Sequence, residues 1–274
     1  MIWPMLATLR RGFSVYGAVA ATAAKARLAY NLWVWADFFV TFASMFIFVY
    51  FWRAVYAGTS TLGGLSLSQT VNYILLARLL APLVENRIIF FFGFMIRQGQ
   101  IAVELTRPLD MQMRILVESF AELGTFLIQR LPLFGIAWLV FGLKLPSSPA
   151  AWGACLLSLV LGQIVLFLFD WTFACLAFYV TETWGLSVVR VGVGAFFSGA
   201  LVPLAMMPGW MQKLAAAMPF AQALSVPVSF LSGITPAGAA PGMWLIQLIW
   251  LGALLLISRL VFRVAIRRVT VQGG

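Results

Sequence analysis

The chain has 274 residues, of which 63% are hydrophobic and 9% charged, with 11 Trp, 24 Phe and a mean hydropathy of +1.00. No soluble core could hide that much apolar surface, so the composition belongs to a polytopic, all-α integral membrane protein. The net charge of +10 does not point to nucleic acid, because the basic residues sit beside apolar runs and form no aqueous basic domain.

Residues 1–30 do not read as a cleavable signal, since Arg10, Arg11, Lys25 and Arg27 straddle the segment that would have to be apolar. Leu6, Leu9, Phe13, Tyr16 and Ala20 share one helical face, and Arg11, Ser14, Ala18, Thr22 and Lys25 share another. That pattern predicts an amphipathic helix lying in the headgroup plane, with a frayed basic tail as the alternative. Six later stretches can cross about 30 Å of hydrocarbon, which takes roughly 20 helical residues: 32–52, 69–92, 116–142, 151–180, 186–207 and 243–262. Six crossings put both termini on one face. Arg10, Arg11, Lys25, Arg27, Arg97, Arg107, Arg114, Arg190, Arg259, Arg263, Arg267 and Arg268 are assigned to that face, against Arg53, Lys144 and Lys213 on the other, so the bias makes both termini cytoplasmic. Arg78, Glu85 and Arg87 interrupt the second span, and Pro82 should kink it.

Between the second and third spans lies a polar island. Arg97, Glu104, Arg107, Asp110, Arg114 and Glu118 crowd one stretch of an otherwise apolar chain. A charge at the bilayer centre costs at least about 2.5 kcal/mol, so this element belongs at the surface. Gln100 to Leu105 suit a short helix; Pro108 should force Arg107 out of helical geometry and open the next helix from its first turn, with Asp110 at that helix's positive end. Between the fifth and sixth spans, 203–241 carries Pro203, Pro208, Pro219, Pro227, Pro236 and Pro241 yet stays apolar. It reads as short helices dipping back into the membrane from the outer face, where non-helical backbone survives only against protein or a cavity; a plain outer loop is the alternative.

Catalytic chemistry has few candidates. There is no histidine, which removes Ser–His and Cys–His pairs and histidine metal sites. Cys155 and Cys175 fit no zinc or redox spacing and read as packing residues, and no GxxxxGK[ST] loop is present. We therefore expect no metal and no cofactor on this chain. A membrane-embedded lipid enzyme would have to draw its acid–base groups from eight carboxylates, most of them at span ends or in the polar island.

The stretch Ile96-Arg-Gln-Gly-Gln-Ile-Ala-Val-Glu-Leu-Thr-Arg-Pro-Leu-Asp-Met-Gln112 resembles the signature of bacterial type-two ABC exporter permeases, in which a short coupling helix contacts a separately encoded ATPase. Phe51-Trp-Arg-Ala-Val-Tyr-Ala-Gly58 resembles the exit from the first helix in that family, and Ser198-Gly-Ala-Leu-Val-Pro-Leu-Ala-Met-Met-Pro-Gly-Trp210, with Pro219, Phe220 and Pro227, resembles its outer re-entrant segment. The resemblance implies a single transmembrane permease domain over 1–274 in the bacterial inner membrane. It implies an in-plane helix over 1–30, a coupling element over 97–112 and a re-entrant segment over 203–241. It implies pairing with a second permease, identical or sister, and with two ABC ATPase subunits that hold ATP and Mg. Gly99, Gln100, Ile101, Glu104, Arg107, Pro108 and Asp110 are then the residues expected to contact the ATPase and transmit its motion.

Ionisable residues within spans are the remaining candidates. Asp37, Arg78 and Glu85 are expected along a translocation path, whereas Arg130 and Asp170 are expected to neutralise each other across the hairpin of the third and fourth spans. A competing reading is an ion-coupled secondary transporter or channel with a site built from Asp37, Glu85 and Asp170. It lacks the internal repeat of interrupted helices that such folds carry.

Overall fold

The computed structural model describes residues 15–26, 31–84, 88–180 and 182–268. The protein is an all-α integral membrane protein, its sheet content being one two-stranded hairpin. Residues 15–26 form helix α1, with Tyr16, Val19, Ala20, Ala23 and Ala24 part-buried along one stripe and Ala18, Thr22 and Lys25 exposed. The remaining residues of the expected in-plane helix, Leu6, Leu9 and Phe13 among them, lie outside the described residues, as do Glu85 and Arg87.

Helix α2 (Asn31–Val55) ends in a short turn and the hairpin β1 (Thr61–Leu62) and β2 (Leu65–Ser66). Ser66 then caps α3 (Leu67–Leu80) in a reciprocal pair with Gln69, which fixes where that helix begins. At Pro82 the helix breaks into a 3-10 turn, as the pyrrolidine ring requires, and α4 (Ile88–Arg97) completes the second span. Helix α5 (Gln100–Thr106) lies between it and the long helix α6 (Met111–Phe141), which is followed by α7 (Pro149–Ala174) and α8 (Trp184–Phe197). Three short helices, α9 (Gly209–Ala216), α10 (Pro219–Ala223) and α11 (Ser225–Leu231), precede the last span, α12 (Ala240–Ala265). Five helical segments are long and apolar enough to cross a membrane, and α9 with α10–α11 forms a further apolar pair bent by 70°.

The expected fifth span, 186–207, is corrected. Its helix is 14 residues long, about 21 Å at 1.5 Å per residue, which falls short of the hydrocarbon thickness. The parity of six nevertheless survives. Ser158 of α7 meets Trp244 and Gln247 of α12, and Trp171 meets Phe262, so the two helices run parallel. Between the end of one and the start of the other the chain must return across the fold, and α8 with the short helices makes that passage. The end of α12 then lies beside the start of α6, and α2, which runs parallel to α6, starts from the same side.

What lets irregular backbone sit so deep is its packing. Pro219–Ala223 are all buried, and α10 presses so closely on α7 that a Cβ at Gly162 would lie 2.2 Å from the Gln222 carbonyl oxygen. Gln247, fully buried on α12, donates to that carbonyl and to the Ser158 carbonyl, at 3.0 and 2.9 Å. The Gln222 oxygen, near the end of α10, is thereby satisfied inside the chain, and the bond to Ser158, in the middle of α7, holds the Gln247 amide in place.

Charge pairing also departs from expectation. Arg130 and Asp170 do not join each other: Arg130 donates to Asp37 of α2, and Asp170 takes a two-pronged pair from Arg190 of α8, both bonds 2.6 Å long. The faces of α6 and α7 that carry these groups turn to α2 and α8, a rotation that hydropathy does not report. Arg190 is 3% exposed, so it is an internal residue and not the membrane-face anchor assigned from the charge bias. Its third nitrogen donates to the Val84 carbonyl, and its guanidinium lies 5.3 Å from the Phe220 ring centroid, so one side chain ties α8 to α7, α10 and the break after α3. Arg190→Met should lower stability by about 3–5 kcal/mol, because it takes the two-pronged guanidinium away from a buried carboxylate. Adding Asp170→Leu should recover part of the loss; melting of the purified variants in detergent checks the order, and a double variant as unstable as the single one would count against the pair.

Candidate functional site

The polar corner around α5 is the most elaborated surface of the described residues. Gly99 adopts φ +68, a left-handed conformation that closes α4 and starts α5, with its N–H donating to the Ile96 carbonyl at 3.1 Å. At the other end Arg107 is extended, as a residue before proline must be. Pro108 does not open α6; that helix starts at Met111, and Asp110 caps it by accepting the Met113 N–H at 2.8 Å. Three helices therefore meet at two sharp corners. The seven-residue α5 cannot move independently of either neighbour.

The expected residues divide into two sets. Ile101, 2% exposed, enters an apolar cluster with Ile88, Ile89, Phe92 and Met95 of α4 and Met111 and Ile115 of α6. Glu104 binds Arg114 of α6 at 2.6 Å and Arg107 at 3.3 Å, while Arg114 also holds Glu118. Asp110 pairs with Arg259 of α12, and Gln112 donates to Ser258 of α12 at 3.0 Å. Ile101 and Glu104 thus fasten α5 to α4 and α6, and Asp110, at the corner that follows, fastens the start of α6 to α12. Gly99, Gln100, Arg107 and Pro108 are exposed, and so are Val103 and Leu105, whose exposures are 61% and 39%.

Val103, Leu105, Arg114, Arg259 and Ser258 were not among the expected site residues. Val103 had a signal, being an apolar position in a polar island two residues from Ile101 and so on the opposite face of the helix; Leu105, four residues from Ile101, had none. The α12 partners had none, since they lie about 150 positions away in the chain. Burial raises the Asp110 carboxyl, but the hydrogen bond and charge of Arg259 and the backbone donors of Met113 and Gln112 outweigh it, holding the group below its ordinary 3.8.

Of the expected path residues, Asp37 and Arg78 are described, and they have different partners. Asp37, half-exposed and bound to Arg130, borders a cavity of about 210 Å³ with Trp35, Phe38, Gln129 and Pro132. Arg78 donates to the Ala200 carbonyl after α8 and stacks at 4.5 Å on Phe48 of α2. Glu85 lies outside the described residues.

A family model described as "ABC-2 family transporter protein" matches residues 39–273. No curated protein matches the chain. The match covers most of the sequence, including α5 and the spanning helices from residue 39 of α2 onward, and the chain belongs to the ABC-2 transporter family.

Replacing Asp110 separates its two roles. Asp110→Asn keeps an oxygen for the helix cap and loses the pair with Arg259, which is part-exposed and should contribute about 0.2–1 kcal/mol; Asp110→Ala loses the cap as well, about 1 kcal/mol more. Because the folded carboxyl is more acidic than the unfolded one, its contribution is complete above the ordinary carboxylate value and disappears as pH falls through the depressed one. Chemical denaturation at pH 7 and near pH 3 should show the gap between wild type and Asp110→Asn closing at the lower pH, and a gap that widens there would contradict this.

Proposed function

We propose that this ABC-2 family member is the membrane-spanning subunit of an ATP-driven exporter in a bacterial inner membrane, with both termini cytoplasmic and α5 as the docking element for a separate ABC ATPase. Two such permeases, identical or sister, enclose the path, and two ATPase subunits carry the ATP and Mg. The observation that carries this reading is the two-sidedness of α5: an outer face of Gly99, Gln100, Val103, Leu105, Arg107 and Pro108, and an inner face locked by Ile101 and Glu104. A push on the outer face reaches α4 through apolar packing, α6 through Glu104–Arg114, and α12 through Asp110–Arg259. Rigid connection matters because a short helix free to tilt would absorb the motion and pass none of it on. The phosphoryl chemistry belongs to the partner.

Asp37 and Arg130, beside their cavity between the first turns of α2 and the middle of α6, are the best-placed residues for cargo passage. The ion-coupled alternative would need Asp37, Glu85 and Asp170 as exchangeable sites, and arginine holds two of the three in ion pairs. Val103→Asp with Gln100→Glu alters the outer face and leaves Glu104, with its pairs to Arg107 and Arg114, and Asp110–Arg259 in place. Co-purification of the ATPase in mild detergent should fall at least about tenfold, as expected for losing one central contact of an interface. The melting temperature of the permease should hardly change, since both side chains are exposed. Undiminished co-purification with intact ATP-dependent transport would contradict the assignment.

A further inference from the structure

At the opposite end of the helices from α5, the C-terminal turn of α2, the first turn of α3 and the end of α6 enclose an open cleft of about 380 Å³. Its rim is cationic. Arg53 and Lys144, two of the three basic residues assigned to this face, both line it, together with Ser68 from the first turn of α3. The ion pairs among the described residues use Asp37, Glu104, Asp110, Glu118, Asp170 and Glu182, and none involves Arg53 or Lys144. Two cations in one concavity, without a carboxylate, leave a positive potential that the first turn of the 14-residue α3 strengthens through its dipole.

The position of Lys144 is not incidental. Asn72 of α3, 7% exposed, accepts from the Lys144 N–H at 2.8 Å and donates to its carbonyl at 2.9 Å, so the backbone carrying the ammonium is clamped to the cleft wall. The Arg53 guanidinium lies 5.4 Å from the Tyr50 ring centroid, which restrains it at the end of α2. Below this rim the wall becomes apolar through Val71, Leu75 and Phe141. A polar, cationic mouth over an apolar wall matches a molecule with an anionic head and a greasy continuation.

We infer that this cleft is a binding site for a phosphate group, presented by a phospholipid of the outer leaflet or as free phosphate. A guanidinium and an ammonium supply several donors to the phosphate oxygens, contacts of the charge-assisted kind. The site goes beyond the coupling function and is independent of it, since none of its residues touches α5 or the network behind it.

The test uses the full-length purified chain. Native mass spectrometry in detergent would measure retention of phosphatidylglycerol and of diacylglycerol, which has the same tails and no phosphate. Wild type should retain phosphatidylglycerol in preference, and Arg53→Gln with Lys144→Gln should weaken that retention at least about tenfold, the effect of losing one charge-assisted contact. Lys144→Arg should preserve it, as should Arg267→Gln with Arg268→Gln, which removes equal charge at the other end of the molecule. Titration with inorganic phosphate separates the sources: displacement of lipid at millimolar phosphate would assign the site to the free anion, and lipid retained at that concentration would assign it to the headgroup. Retention unchanged in the Arg53/Lys144 double variant, equal retention of diacylglycerol, or equal loss in the Arg267/Arg268 variant would overturn the inference.

Discussion

In a hydrocarbon surround each polar group must find its partner within the chain, and the interior is arranged around that constraint. Unsatisfied backbone groups cost several kcal/mol where no water can replace them. The short helices after α8 are therefore tolerable only because α7 offers a glycine surface at Gly162 and α12 offers Gln247 as a donor. The Arg190–Asp170 pair obeys the same rule, with every guanidinium nitrogen bound to the Asp170 carboxylate or the Val84 carbonyl. Such a pair contributes specificity more than net stability, since it forces α8 into one rotation against α7.

The same constraint, relaxed at the aqueous face, shapes α5. There water can solvate Arg107, Gln100 and the backbone of two sharp corners, so a seven-residue helix can stand outside the apolar mass. Too short to be stable alone, it depends on its attachments. Those attachments are of two kinds, an apolar anchor at Ile101 and the Glu104–Arg114 ion pair to α6, whose first turn is in turn held to α12 by Asp110–Arg259. An element that is simultaneously exposed and immobilised is suited to the docking role proposed for it. The other end of the molecule contrasts with it, for there the cations surround a cleft and have no carboxylate partners among the described residues.

Much of this architecture was legible in the sequence because its causes are local. A run of about 20 apolar residues declares a span wherever it occurs, and α2, α6, α7 and α12 start and end within a few residues of expectation, apart from the earlier start of α6. The break at Pro82, the extended Arg107 and the capping Asp110 follow from the chemistry of single residues. The fifth span misled because apolar composition continues from Phe197 to Pro203 after the helix has stopped, and hydropathy does not distinguish a helix from a buried turn. Partner choice was illegible for a different reason. Whether Arg130 meets Asp170 or Asp37 depends on helix rotation, and helices that are apolar on every side leave no stripe from which to read it. Within the expected α5 set, a spacing of three residues puts Ile101 and Glu104 together on the inward face, apart from the exposed Gln100 and Arg107.

The central claim is that the outer face of α5 meets an ATPase while its inner face holds the spans. With Cys155 and Cys175 replaced by Ser, a single cysteine at Val103 can be tested with a short thiol cross-linker in membranes containing the ATPase. The account predicts a cross-linked permease–ATPase product from that position and protection from membrane-impermeant thiol reagents added outside the cell. Absence of the product together with labelling from outside would place α5 on the wrong side of the membrane and contradict the account.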